Sequence, residues 1–242
     1  MASLESILSF NFRDLETLKY ADGSSRTVAP FHILGTQTLP GVGCASFSGS
    51  ILAFGIFLRP LALWQLFHIP SRVHANIDVA GEELVGKTTD HLWQKLAESK
   101  SFSQRIEIAE RFLLPLAKAA CVRTDIMRSA NQLYRSKGAT RIEELAHLSG
   151  LSIRQYQRRF TDDLGMTPKI FARITRFQRA LDAKRLGSGR SWLSIAHELG
   201  YFDQMHMIRD FQSLAGSAPT TTIEQSGDLQ PWSAIAPLGV ER

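Results

Sequence analysis

One pattern occurs twice in this chain, and that duplication constrains the fold more than any other feature. Residues 145–168 read LAHLSGLSIRQYQRRFTDDLGMTP, and residues 195–219 read IAHELGYFDQMHMIRDFQSLAGSAP. Each copy opens with an aliphatic residue, Ala and His, and places Gly three residues after the His, at Gly150 and Gly200. Arg stands two residues before a Phe (Arg158 before Phe160, Arg209 before Phe211), Gly follows five residues later (Gly165, Gly216), and Pro three beyond that (Pro168, Pro219). The second copy carries one extra residue. A repeat of this kind is one supersecondary unit used twice.

Each copy makes physical sense as a helix-turn-helix. Thr140 with Glu143 reads as a capping box for a helix over IEELAHL, and Gly150 is the permissive residue a sharp turn needs. Ser152 with Gln155 forms a second capping box, so the next helix begins almost at once. In the second copy Asp203 takes the N-cap position. Ala146 and Ala196 are small enough for close helix approach, and His147 and His197, at matching positions, read as helix-packing residues. On the second helix of copy one, Ile153, Tyr156 and Phe160 share the inward face. Arg154, Gln157 and Arg158 are left outside, with Gln155 and Arg159 on the flanks. Arg can bond guanine O6 and N7, and Gln adenine N6 and N7, each pair discriminating by ~1–3 kcal/mol. A solvated basic face is the ordinary reading of one such helix; duplication, capping and charge together favour base recognition.

Between the copies, Ile170, Ile174, Phe177 and Leu181 recur at helical spacing, Pro168 suits a helix start and Gly187 a helix end. The pattern predicts a linker helix over 169–186, roughly 27 Å long at ~1.5 Å per residue. That is close to the ~34 Å that separates successive major grooves on one face of B-DNA, so a single chain could read two adjacent half-sites.

Charge follows the repeats. Residues 121–219 hold 16 Lys and Arg against 9 Asp and Glu, a net of +7 within a chain total of +5. A basic segment joined to a slightly acidic one is the footprint of a polyanion binder. The remaining composition, 44% hydrophobic and 21% charged, is that of a soluble globular protein. No stretch reaches the ~18 apolar residues of a membrane span, and the N-terminus lacks the pattern of a secretory signal, so the chain is read as cytoplasmic. Cys44 and Cys121 fit no disulfide framework or zinc spacing and read as free thiols.

Ahead of the repeats, residues 1 to about 60 alternate short apolar runs (ILSFNF, APFHILGTQT, SILAFGIFL) with turn residues such as Ala21-Asp22-Gly23-Ser24, which suits a small antiparallel sheet or barrel. From Leu61 the period becomes helical: LALWQLFHI, then a helix starting near Thr89 and Asp90 with Leu92, Trp93 and Leu96 on one face. A further helix is capped by Ser101 with Gln104 and carries Ile106, Ile108, Ala109, Phe112 and Leu113. This helical pair reads either as core packing or as a dimerisation surface. Asp125 to Lys137 reads as a helix closed by Gly138. Residues 221–242 have no sustained period and read as a flexible tail. His68, His74 and Asp78 fit no metal spacing, and no catalytic triad, phosphate loop or carboxylate pair stands out. The chain is read as a non-enzyme without metal or cofactor.

Residues from about 120 to 220 resemble the DNA-binding domain of the AraC/XylS family of bacterial transcription regulators, on the strength of LAHLSGLSIRQYQRRFTDDLGMTPKIF and IAHELGYFDQMHMIRDFQSLAGSAP. The resemblance implies base-facing positions at Arg154, Gln157 and Arg158 on the first recognition helix. On the second it implies Gln204, Met205 and Ile208, with Arg209 at a phosphate or base; Arg173, Arg176 and Lys184 are candidates for phosphate contacts. Met205 stands where the family usually has Ser or Thr, and Met207 where it has Phe or another bulky residue. The N-terminal part is similar to sensor regions in which a cupin-like β-barrel precedes helices. A DNA-repair relative would need more cysteines than the two present.

The expected fold is α+β. A β-rich, partly cupin-like sensor or dimerisation domain with helices spans 1–120, and an all-α domain with two helix-turn-helix motifs joined by a linker helix spans 121–220; a tail covers 221–242. The expected function is a sequence-specific transcription regulator reading two major-groove half-sites, with double-stranded DNA, a small-molecule effector, RNA polymerase and a second copy of the chain as partners. The alternatives are a small-molecule-binding or protein-interaction module without specific DNA binding, and a nonspecific nucleic-acid binder.

Overall fold

The computed structural model describes residues 1–15, 17–19, 23–39, 44–46, 49–86, 88–120, 125–187 and 189–226. They divide into two compact units, one made of Glu5–Gln37 and Gly41–Arg123, the other of Met1–Leu4, Thr38–Pro40 and Thr124–Arg242. Among the described residues no helix is long and apolar enough to cross a membrane.

Among the described residues the N-terminal unit holds seven strands: β1 (Ser6–Asn11), β2 (Thr17–Lys19), β3 (Ser25–Thr27), β4 (Phe31–Leu34), β5 (Cys44–Ser46), β6 (Ala53–Leu58) and β7 (Asp78–Ala80). They form two antiparallel sheets, one ordered β6-β1-β4-β7 and one ordered β3-β2-β5. Alternation in β6 turns Phe54, Ile56 and Leu58 inward and leaves Ala53, Gly55 and Phe57 exposed. Leu8 and Phe10 of β1 and Phe31 and Ile33 of β4 join that face, with the Phe10 and Phe31 rings stacked 4.6 Å apart. Helices α1 (Ala62–Phe67), α2 (Gly81–Val85), α3 (Thr88–Glu98) and α4 (Phe102–Ala119) complete the unit. Leu63, Leu92, Leu96, Ala109 and Leu113 extend the same core, so the helical pair α3 and α4 packs on the sheet as one of its two expected roles requires. Ser101 caps α4 by accepting from the Gln104 N–H at 3.2 Å, but the Gln104 side chain reaches the Lys100 N–H instead of closing the box on Ser101.

The C-terminal unit is helical: α5 (Asp125–Arg135), α6 (Ile142–Leu148), α7 (Ile153–Leu164), α8 (Pro168–Leu186), α9 (Trp192–Glu198), α10 (Gln204–Ala215) and α11 (Pro219–Gln225). Helix α8 is its centre, in contact with α5, α7, α9, α10 and α11. Phe171, Ile174, Phe177, Ala180 and Leu181 are buried, and so are the polar Thr175, Gln178 and Asp182, which makes the linker a core helix enclosed on most sides. Phe177 and Trp192 both meet the Phe211 ring edge-on, at 4.7 and 5.6 Å between centroids.

Four sequence expectations change here. Thr140 does not cap α6: its hydroxyl lies 2.7 Å from Ser136 Oγ, and α6, which spans IEELAHL as expected, starts behind Arg141 without a side-chain cap. Ile153 is 46% exposed although it falls on the inward face of α7; at the first helical position it runs past the packing partners, and Leu164 takes the third inward place beside Tyr156 and Phe160. His147 and His197 are exposed, not packed, in the last turns of α6 and α9. The expected tail begins inside a helix: α11 runs on to Gln225, tied down by the Trp192 Nε1–H bond to Thr220 Oγ1 at 3.2 Å and by buried Thr222. Three consecutive threonines have weak helix propensity, so packing supplies what local sequence does not. Residues 227–242, Ala21 and Asp22 of the expected turn, Cys121 and the side chain of Cys44 lie outside the described residues.

Candidate nucleic-acid interface

The two helix-turn-helix units are built alike. Gly150 and Gly200 take φ +65° and +70°, the left-handed conformation that glycine reaches without a Cβ penalty. Leu151 and Tyr201 N–H then bond back to Ala146 and Ala196 carbonyls, each at 3.0 Å, closing matched turns. Ala146 and Ala196 are buried at 1% exposure, as close approach requires. Helix α7 starts on a complete capping box: Ser152 Oγ accepts from the Gln155 N–H, and Gln155 Oε1 accepts from the Ser152 N–H. Asp203 caps α10, its carboxylate accepting from the His206 N–H at 2.6 Å. Both helices end on glycine, Gly165 and Gly216, with φ +70° and +79°.

Each second helix is anchored from within. Tyr156 is fully buried, and its hydroxyl lies 3.0 Å from Ser129 Oγ on α5; burial pushes the phenol above its ordinary pKa. On α10, Met207, Phe211 and Leu214 are buried, and Asp210 receives a bond from Arg173 Nε of α8 at 2.8 Å. Burial also pushes the Tyr201 phenol up, and the neighbouring Asp210 charge adds to that.

With those faces fixed, the outer faces follow at 100° per residue. Arg154, Gln157 and Arg158 of α7 are exposed, as are Arg159 and Gln155, although Gln155 has its carbonyl oxygen engaged in the cap. On α10, Met205 and Arg209 are exposed opposite the buried side, while Gln204 and Ile208 are half-buried. Two exposed residues here escaped the sequence reading. Gln212 continues the Met205–Arg209 stripe, and Phe202, in the turn, is 89% exposed.

The three candidates on and around the linker helix are placed differently. Arg173 is held by Asp210, Arg176 sets its guanidinium 5.1 Å from the centre of the Tyr201 ring, and Lys184 Nζ donates to the Arg190 carbonyl at 2.6 Å and lies 5.5 Å from the Trp192 ring. All three are half-buried. A cleft of about 380 Å³ beside α8 and α9 is lined by Lys137, Arg179, Asp182, Arg190 and Glu198 among others. Glu198 pairs with Arg190 and, at 3.4 Å, with Lys137; the Arg190 bond, the largest influence, holds its carboxyl below the usual value. These pairs set two cations on one carboxylate and join the turn after α5 to α9.

A protein-family model described as a helix-turn-helix domain matches residues 145–225, the span from α6 to the end of α11. The segment is an AraC-type helix-turn-helix domain. No curated protein matches the chain in sequence. Solved structures of ToxT from Vibrio cholerae share the architecture of an N-terminal β unit followed by this AraC-type domain. One is 11% identical with a TM-score of 0.51, covering 93% of this chain and 90% of that one. An apo ToxT variant is 10% identical with a TM-score of 0.52, covering 91% and 88%. A third, bound to (E)-4-(8-methylnaphthalen-1-yl)but-3-enoic acid, is 9% identical with a TM-score of 0.51, covering 93% and 91%.

In the N-terminal unit, the histidines weighed as metal ligands do not converge. Among the described residues no group of three or more His, Cys, Asp or Glu could hold a metal ion. Asp78 pairs with His32, a buried partner that its position in β4 did not advertise. His74 is 1% exposed and has neither ring nitrogen hydrogen-bonded; burial lowers its pKa to about 4.

Proposed function

We propose that the chain is a sequence-specific transcription regulator in which α7 and α10 enter successive major grooves of one duplex. The observation that carries this reading is the pair of outer faces: two capped helices, placed by matching turns, expose Arg154, Gln157, Arg158, Met205 and Arg209 while their opposite faces are locked into one core. Helix N-termini after a tight turn are where this motif presents side chains to base edges. Arg154 and Arg158 are the guanine readers and Gln157 an adenine reader on α7. Arg209 reads a base or phosphate on α10, with Gln204 and Ile208 at its flanks. Arg173, a phosphate candidate by sequence, braces α10 through Asp210, and Arg176 and Lys184 present only their exposed edges to the phosphates.

The N-terminal unit is proposed as the sensor and dimerisation part. ToxT holds a naphthalenyl butenoic acid in one solved structure, so an apolar carboxylic acid is the first effector class to try. RNA polymerase is the further partner of this reading, and the cytoplasm its compartment.

Selection of bound duplexes from a random pool, at two salt concentrations, tests the reading. Two half-sites about one turn (~34 Å) apart are expected, with Arg158→Ala relaxing selectivity at one base pair. A pool without enrichment, with and without the acid, refutes it. Retention that falls with salt but shows no motif leaves a nonspecific binder instead.

A further inference from the structure

Aligning the two copies places Met205 where the first has Arg154, Ile208 where it has Gln157, and Arg209 where it has Arg158; the extra residue of the second copy is Phe202. At two of three outward positions, hydrogen-bonding side chains have therefore been replaced by apolar ones. The extra residue is apolar as well, and it stands in the turn directly before α10.

Packing does not account for these side chains. Phe202 directly precedes the N-cap, where an apolar residue commonly folds down onto the fourth helical residue, here Met207. Met207 is fully buried without it, Tyr201 fills the neighbouring space at 4% exposure, and Phe202 stays 89% exposed. Met205 is 54% exposed. Both sit at the N-terminal end of a helix whose outer face also carries exposed Arg209, which supplies phosphate or base attraction beside them. In the major groove, thymine is the base that offers an apolar feature, its C5-methyl group, and apolar side chains read it by contact.

We propose that Phe202 and Met205 form the thymine-reading edge of the second helix-turn-helix, their side chains covering C5-methyl groups in the half-site that α10 enters. The inference rests on the DNA-reading function above and adds a chemical asymmetry to it. The α7 half-site is read by hydrogen bonds from Arg154, Gln157 and Arg158, and the α10 half-site is read partly by methyl contact.

The test uses the full chain and the duplex recovered by selection, with each thymine of the α10 half-site replaced in turn by deoxyuridine, which removes only the methyl. Wild type is expected to bind about fourfold more weakly for each methyl lost at one or two positions, the value for hiding a single methyl-sized group from water. The Phe202→Ala/Met205→Ala variant is expected to bind thymine and deoxyuridine duplexes equally while still preferring cognate to scrambled DNA, and Met205→Leu to keep the discrimination. Both side chains are exposed, so circular dichroism should give the variant the wild-type melting curve. A wild type that prefers its cognate duplex but is indifferent to deoxyuridine overturns this inference and leaves the DNA-reading function standing. So does unchanged methyl sensitivity in the double variant, or an effect of the variant on oligomeric state alone. Failure of wild type to prefer any duplex overturns both.

Discussion

The ion pair between Arg173 of α8 and Asp210 of α10 offers a quantitative test of how the second recognition helix is held. Arg173 Nε lies 2.8 Å from Asp210 Oδ1, with side-chain exposures of 23% and 5%. At an effective dielectric constant of ~20, charges this close attract by about 6 kcal/mol. Burying the carboxylate costs several kcal/mol, and water reaches part of the guanidinium, so a net coupling of roughly 2 kcal/mol is expected. Asp210→Ala alone should cost about 3 kcal/mol, the lower end for breaking a buried pair, because the stranded Arg173 can still reach water. Native-state hydrogen exchange on α8 and α10 peptides of the full chain, for Arg173→Ala, Asp210→Ala and the double variant, reads this locally and closes a double-mutant cycle. Arg173→Ala should weaken DNA binding mainly through lost helix stability, leaving the salt slope close to wild type. Additivity within about 0.5 kcal/mol would refute the coupling. A salt slope reduced by about one, with exchange unchanged, would return Arg173 to the role of phosphate contact.

Three further outcomes follow from the same structure. Gly138 has φ +77°, and an added Cβ would lie 2.6 Å from the Ala172 carbonyl oxygen, whereas Gly150 at φ +65° has nothing within 4 Å; Gly138→Ala should therefore cost well over the ~1–2 kcal/mol of left-handed strain expected for Gly150→Ala, and equal melting losses would refute the contact. Buried His74 has its pKa lowered from 6.5 to about 4, so the folded state binds fewer protons than the unfolded one between those values. Stability is then full above pH 6.5 and falls by roughly 3 kcal/mol on acidification to pH 4; His74→Gln should flatten urea-unfolding stability across that window, and an unchanged slope would refute the assignment. Asp203→Ala removes the α10 cap and should cost about 1 kcal/mol, seen as faster exchange at the first turn of α10 and not of α7.

How far the sequence could be read depended on whether local residues decided the outcome. The turns, the Ser152–Gln155 box, the Asp203 cap and the α8 periodicity are local, and the structure has them at those positions. The false cap at Thr140 shows the limit of such signals, because Ser136, four residues earlier, competes for the same hydroxyl. Helix α11 and the anchoring of Arg173 depend on distant neighbours, Trp192 and Asp210, which no pattern along the chain reveals. The His32–Asp78 pair is of the same kind, joining residues 46 positions apart across adjacent strands. Phe202 did leave a signal, as the one residue by which the second copy is longer; what it lacked was an exposure, and only the structure supplies that.

The duplicated units have diverged in two separable ways. The position that carries exposed Arg159 in α7 carries buried Asp210 in α10, so α10 is tied to α8 by charge, whereas α7 is tied to α5 by the neutral Tyr156–Ser129 contact. Their outward residues have diverged as well, from Arg154 and Gln157 to Met205 and Ile208. Because anchors and outward residues lie on opposite faces of each helix, a change on one face need not disturb the other. Met205→Arg should therefore keep the fold while moving the α10 half-site toward guanine at one position, as the matching Arg154 does for α7. Exchanging Asp210 for Arg, by contrast, would set a second cation against Arg173 and loosen α10 before any base was read.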